Sequence, residues 1–482
     1  MRAPHRRQIP RGAAHRPRQS AQKPVTTTAS RPPSPRPAPV PAPNSAPNSA
    51  PNPAAPAAAP AAASQAARPA PYLFLPCAAH TEALLGAEVQ RITGLPEAAL
   101  TLQRAGVAIH AGGDDQQLLA LAMQLNLHSR IAQRVLIVLA QGPYQREDDL
   151  YALAAQLPWE QWFTPAQTFK IEATAQRSPL KSLNFAALRI KDAVADRFRA
   201  RQGQRPSVDT QRPQVRIHLH LDAQTQQLAI DTSGAPLFKR GWREDKGAAP
   251  LKETLAASMI AATGWQPLSH APLPLYDPCC GSGTIAIEAA QMACDIAPGL
   301  QRRFAFEHLL PHQPQHWQAL REQALARRRA PATPVFGSDI AHRMVDFARR
   351  NAERAGVAQA VQLRGGDLLQ RLPPCAQPGI LLLNPPYGTR IDAAGSAGRN
   401  LQARKQMGFS AREFSGDDDG AAFFAQLAAH WKSHYGGWTA WLLSPDMKLP
   451  GKLRLKESRR VPMWNGPIDC RLFRFDLQAR KS

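Results

Sequence analysis

Two short stretches constrain this chain more than any other feature. The first, LPLYDPCCGSGTIAIEAA at 273–290, reads as a strand, a glycine turn and the start of a helix. The second, LLLNPPYGTRI at 381–391, reads as a later strand that ends in a polar loop stiffened by two prolines. Strand and helix patterns alternate from 273 to about 475, which predicts a doubly wound α/β sheet. Gly281 and Gly283 let a ligand approach the backbone closely, and the helix that follows offers free N–H groups. The run Gly281-x-Gly283-x-x-Ala286 also fits the dinucleotide fingerprint, which expects an acid about 20 residues further on. Here the second strand is VFGSD, and its acid, Asp339, lies far beyond that spacing. The spacing weakens the dinucleotide reading without abolishing it.

Asp339, at the carboxyl end of that second strand, is placed to accept hydrogen bonds from both ribose hydroxyls of an adenosine. Asp367, in RGGDLL after the next strand, is placed to accept from an adenine amino group. The bland alternative for each is a loop aspartate that caps a helix. Asn384-Pro385-Pro386-Tyr387 carries the chemistry. The Asn384 side-chain oxygen and the Pro385 carbonyl are expected to accept two hydrogen bonds from one exocyclic NH₂. Such a nitrogen is a poor nucleophile because its lone pair is delocalised into the base. Two acceptors favour the pyramidal geometry of attack over the planar ground state, which is selective binding of the transition state. Tyr387 supplies a face for a base taken out of its helix.

Composition bears on the partner. The formal net charge is +23, and residues 1–70 hold ten Lys/Arg and no acid, so about +13 belongs to the rest of the chain. The remainder is basic in its own right, which points to nucleic acid or an anionic surface. The six cysteines show no metal-binding spacing. A reducing, cytoplasmic setting with no metal is expected. No apolar run reaches the length of about 18 residues that a transmembrane helix needs, so no membrane association is expected either.

Residues 1–70 are Pro/Ala/Arg-rich and too poor in apolar surface to offset their ordering entropy, so a disordered tail is expected. A small α+β module is expected over 71–178: a strand at 72–75, Thr81 as the N-cap of a helix, strands at 106–112, 134–140 and 169–176, and helices between them. Residues 179–248 are expected as a basic linker. It contains a helix carrying Lys181, Arg189, Lys191, Arg197, Arg199 and Arg201, then a hairpin at 215–234. His218 and His220 share one face of that hairpin, with no third metal ligand nearby. Residues 249–482 make the α/β domain, with a long insert at 298–334 and a polar insertion at 393–420.

The paired motifs DPCCGSGT and NPPY resemble those of S-adenosylmethionine-dependent amino methyltransferases. Residues 72 to about 475 more closely resemble bacterial 23S rRNA guanine-N2 methyltransferases with an N-terminal THUMP domain. The further matches are the 72–176 module, NFAALRIKDAVADRF, LFKRGWREDKGAAPLKETLAA and NGPIDCRLF. The resemblance implies a Rossmann-like class I methyltransferase domain behind an α+β THUMP-type RNA-binding domain. It implies S-adenosylmethionine as cofactor and 23S rRNA, or a large-subunit assembly intermediate, as partner. The product would be N2-methylguanine, at position 2445 in that family. Asp277, Pro278, Gly281, Gly283 and Thr284 would form the cofactor loop, Asp339 and Asp367 would hold adenosine, and Thr254 would lie near the methionine end. Asn384, Pro385, Pro386 and Tyr387 would be the catalytic loop. Longer members of the family fuse a second methyltransferase domain, and none is expected within these residues. The rival readings are an adenine-N6 methyltransferase of DNA or RNA and a non-catalytic rRNA-binding assembly factor.

Overall fold

The computed structural model describes residues 70–247, 250–385 and 418–478. The expected tail up to residue 69, Pro386 and Tyr387 of the expected catalytic loop, and the 393–420 insertion as far as 417 lie outside them. Two seven-stranded sheets organise the described chain.

The first half runs β1 (Tyr72–Pro76), α1 (Glu82–Thr93), β2 (Leu100–Gln103), β3 (Gly106–Ile109), α2 (Asp115–His128), β4 (Leu136–Pro143), α3 (Glu147–Ala155), β5 (Phe169–Ala175), α4 (Leu183–Gln202), β6 (Val215–Leu221) and β7 (Thr225–Asp231). Its sheet has the order β2-β3-β1-β4-β7-β6-β5. The hairpin expected in a linker is therefore central to this sheet. β7 pairs antiparallel with β4, and β6 pairs parallel with β5, so residues 215–231 satisfy backbone groups that would otherwise leave open edges. The linker reading of 179–248 is corrected accordingly. The α4 cations are also largely spoken for: Arg189 pairs with Asp148, Arg197 with Glu160, Arg199 with Asp196 and Lys191 with Asp192. Thr81 does sit at the N-cap of α1, but its hydroxyl donates to the Ala78 carbonyl at 2.7 Å and makes no cap bond.

The second half runs α5 (Glu253–Thr263), β8 (Leu275–Asp277), α6 (Thr284–Ala293), α7 (Pro314–Ala326), β9 (Val335–Asp339), α8 (His342–Arg354), β10 (Val361–Gly365), β11 (Ile380–Leu383), α9 (Asp418–His434), β12 (Thr439–Ser444), α10 (Leu449–Leu453), β13 (Arg459–Asn465) and β14 (Ile468–Asp476). The sheet order is β10-β9-β8-β11-β12-β14-β13, parallel through β12 and antiparallel at β14 and β13. Alternate residues of the parallel strands feed two cores, as a sheet covered on both faces requires. Leu275, Val335 and Leu382 pack among residues of α5 and α6, while Tyr276, Phe336, Leu381 and Leu383 pack among residues of α9.

The insert at 298–334 joins the halves. Phe304, Phe306, Leu309 and Trp317 belong to the same core cluster as the helices of the first sheet. The Phe306 amide donates to Thr232 O at 3.0 Å and the Gly299 amide to Leu127 O at 3.0 Å. Deeper in, Glu288 of α6 accepts from Arg130 at 3.0 Å and from Arg240 at 3.0 Å, and Arg240 also donates to the Arg130 carbonyl at 2.7 Å. Such a buried, fully bonded charge cluster fixes one arrangement of its elements, because breaking it strands an unpaired charge.

Candidate active site

The parallel register aligns the ends of four strands. Leu381 lies opposite Tyr276, Asp277 opposite Gly337, and Asp339 opposite Gly365. The loops after β8, β9, β10 and β11 therefore emerge side by side at the carboxyl edge. The sequential order of strands reverses between β8 and β11, which is the crevice where open α/β sheets hold ligands.

The loop after β8 is built around two left-handed glycines. Gly281 has φ +54°, and a Cβ there would meet only Met344 Cε at 3.9 Å, so its surroundings are open. Gly283, with φ +89°, caps α6; a Cβ there would stand 3.0 Å from both Ala348 Cβ and Ile287 Cδ1. The first glycine leaves room for a ligand and the second lets α6 approach α8.

Asp277 is buried, and its Oδ1 accepts from the Cys279 amide at 3.2 Å. Burial, with the nearby Asp339 charge adding to it, pushes its carboxyl well above the ordinary range. Asp339 accepts from the Gly281 amide on Oδ2 and from the Ala341 amide on Oδ1, both at 2.9 Å. Burial raises its pKa too, against those two bonds. Pro278 contributes its carbonyl to the Ser338 hydroxyl at 3.3 Å. Asp367 is buried after β10, with Oδ1 accepting from the Leu369 amide at 3.0 Å.

Asn384 and Pro385 follow β11 directly. Asn384 Oδ1 is buried and has no hydrogen-bond partner among the described residues. A buried acceptor left unmade is costly, which makes Asn384 Oδ1 a candidate acceptor for a donor from a ligand. Pro385 is buried beside it.

Thr284 and Thr254 are placed differently from the other expected residues. Both are buried at the starts of α6 and α5. The Thr284 hydroxyl accepts from Arg243 at 2.7 Å. Arg243 also donates to Ser282 Oγ at 3.1 Å and Glu253 Oε1 at 2.7 Å, tying the glycine loop to α5. Asn351 of α8 donates to Ser282 O at 3.0 Å and to Asp245 O at 2.8 Å. Sequence reasoning misses both Arg243 and Asn351. The signal nearest to them is the stretch GWRED within one of the matching motifs, whose arginine braces the loop.

This edge defines a class I methyltransferase type of α/β domain, with the antiparallel β14 inserted next to β12. Residues 240–416 match the family model described as RMKL-like, methyltransferase domain, and residues 144–231 match the THUMP domain. The chain therefore carries a THUMP domain followed by an RMKL-like methyltransferase domain. The THUMP match ends at the last residue of β7, in line with the hairpin's place in the first sheet. The ribosomal RNA large subunit methyltransferase K/L of Shewanella loihica is 39% identical over 369 residues, covering 76% of this chain and 48% of that protein. The chain thus spans about half the length of the curated relatives it matches. Among solved structures, SMU.472, assigned as a methyltransferase and complexed with SAH, superposes with TM-score 0.71 at 26% identity, covering 85% of this chain and 99% of that one. A protein of Listeria monocytogenes described as a predicted N6-adenine-specific DNA methylase gives TM-score 0.69 at 26% identity, covering 84% and 96%.

Proposed function

We propose that the chain transfers a methyl group from S-adenosylmethionine to the exocyclic N2 of a guanine in 23S rRNA. The observation that carries this reading is Asn384 Oδ1, buried at the carboxyl edge beside the Asp277 and Asp339 loops and without a hydrogen-bond partner among the described residues. The residues present suit the cofactor. The open turn at Gly281 suits its backbone-hugging moiety, the two aimed oxygens of Asp339 suit ribose hydroxyls, and Asp367 suits an adenine amino group. Pro278, Gly283, Thr284 and Thr254 shape and support that cradle, the last two from the helices Arg243 braces. The bound cofactor supplies an electrophilic methyl group.

The chain's own part is to orient the nucleophile. Asn384 Oδ1 and the Pro385 carbonyl accept both amino protons of the base, which localises the nitrogen lone pair toward the methyl group. By residue type, Pro386 would restrict the loop and Tyr387 would offer a face to the flipped base. No general base is needed at the start, because the nitrogen becomes acidic once methylated. The THUMP domain supports an RNA substrate, and the names of the curated relatives support the large ribosomal subunit. The second reading is adenine-N6 methylation, favoured by the description of the Listeria neighbour and chemically open to the same acceptor pair.

Mass spectrometry of nucleosides from rRNA of a deletion strain separates them. Loss of one N2-methylguanine in 23S rRNA, restored by the wild-type chain, is the expected result. Loss of N6-methyladenine selects the second reading, and unchanged rRNA and DNA sink both.

A further inference from the structure

We infer that the groove between the first half of α9 and α10 seats the RNA backbone next to the target nucleotide. The inference rests on the RNA-methylating reading above and assigns it a surface. Its location follows from topology. Leu383 pairs with Leu442 in parallel register, so Asn384 leaves the sheet one strand away from Ser444, where β12 ends. The chain then passes through Met447 and Lys448 into α10. Helix α9 precedes β12 and returns to its start, so the amino-terminal half of α9 lies at the same carboxyl edge. A base extruded to reach Asn384 must leave its flanking sugar–phosphate chain lying across this edge.

The groove there has a volume of about 670 Å³ and a two-sided chemistry. One wall is Ala421, Ala422 and Ala425, and the other carries Lys448, Lys452 and Arg454. Small side chains leave width for a backbone, and the cations are donors of the kind that hold phosphates. Among the described side chains the nearby acid is Asp446, 3.0 Å from Lys452 Nζ and close enough to Lys448 that, against burial, both cations lower its pKa. Among the residues whose side chains are described, which exclude 418–420, no carboxylate pairs with Lys448 or Arg454, and both are exposed. The α4 cations, by contrast, are mostly paired with neighbouring acids. Exposed cations facing a wall of alanines fit a polyanion, and the distance of one strand from Asn384 fits the strand that carries the target.

The test uses the full chain with Lys448→Glu, and separately with Lys448→Ala plus Arg454→Gly. Glycine suits the left-handed backbone at Arg454, φ +50°. Affinity for a 23S rRNA fragment is measured by fluorescence anisotropy across a salt series, with S-adenosylmethionine affinity by calorimetry as the check on folding. Both variants are expected to bind RNA about tenfold or more weakly. The slope of log affinity against log salt should be shallower by about 0.7 for each phosphate that is no longer neutralised. KM for RNA should rise by more than kcat falls, and cofactor affinity should hold. RNA affinity and slope equal to wild type in folded variants overturn the inference, including the case where only binding of an acidic protein partner is weakened. Failure of the functional reading looks different: the wild-type chain itself would transfer no methyl group to RNA.

Discussion

The backbone N–H of Gly281 donates to Asp339 Oδ2 at 2.9 Å, tying the glycine turn after the first strand of the domain to the acid that ends the second. The other oxygen of Asp339 takes the Ala341 amide. Both oxygens are thus held in place, and in the proposed function each keeps a lone pair for a ribose hydroxyl. Preorganisation of this kind lowers the ordering cost of binding.

Replacing Asp339 with Ala should therefore weaken S-adenosylmethionine binding by about 10- to 100-fold, on the order of 1.5–3 kcal/mol for bonds to a charged group. Isothermal titration calorimetry reads this directly. A dissociation constant within twofold of wild type would remove Asp339 from the site.

Burial raises the pKa of Asp339, and that of Asp277 more strongly. Hydroxyl donors favour the ionised carboxylate, so cofactor affinity should be full above the raised pKa and fall as pH drops through it. The unliganded protein responds in the opposite sense. A carboxyl whose folded pKa is raised stabilises the fold below its unfolded pKa, and that stability is lost as pH rises through the folded value. Calorimetry on a descending pH series should show binding weaken before the ordinary carboxylate range of about 4 is reached. An affinity that stays constant until that range is reached contradicts the assignment.

Gly283→Ala meets two obstacles at once. The new Cβ would stand 3.0 Å from Ala348 Cβ and 3.3 Å from Ala348 Cα, and the backbone has φ +89°. A loss of about 1–3 kcal/mol is expected from the strained backbone alone, read by chemical denaturation. An unchanged midpoint would mean that α6 and α8 are not packed as described.

Glu288 is enclosed by Arg130 and Arg240. Burial alone would raise its pKa, but Arg240 and Arg130 outweigh that and hold it below the ordinary range. Its contribution to stability is present above the unfolded pKa and lost as pH falls through the folded one. Glu288→Ala leaves two buried guanidinium groups short of a partner, and removing one member of a buried cluster typically costs about 3–5 kcal/mol. Denaturation that remains within about 1 kcal/mol of wild type would show the cluster to be dispensable.

The loops at the strand ends are legible in the sequence because their tasks restrict residue type. A left-handed turn asks for Gly281 and Gly283, and Asn384 and Pro385 stand where expected, directly after β11, with their acceptor role a proposal. Strand periodicity reveals the 215–231 hairpin but carries no information on which sheet it joins, so from sequence it reads as part of a linker. Glu288 looks like an ordinary helix polar residue, because its partner Arg130 is 158 positions away and nothing local marks the pairing. The insert at 298–334 is equally mute: Phe306 and Trp317 show that something is buried, not that it is the core of the first sheet. Arg243 and Asn351 escape for the same reason, since each braces the site through bonds between elements.

In the proposed mechanism Asn384 Oδ1 accepts from the amino group being methylated. Single-turnover methyl transfer to a 23S rRNA fragment, comparing wild type with Asn384→Ala at saturating S-adenosylmethionine, tests it most directly. The rate should fall by about 10²–10³, as for other transition-state hydrogen bonds that are removed, with cofactor affinity within a few-fold of wild type. A variant that transfers methyl at the wild-type rate would contradict the mechanism.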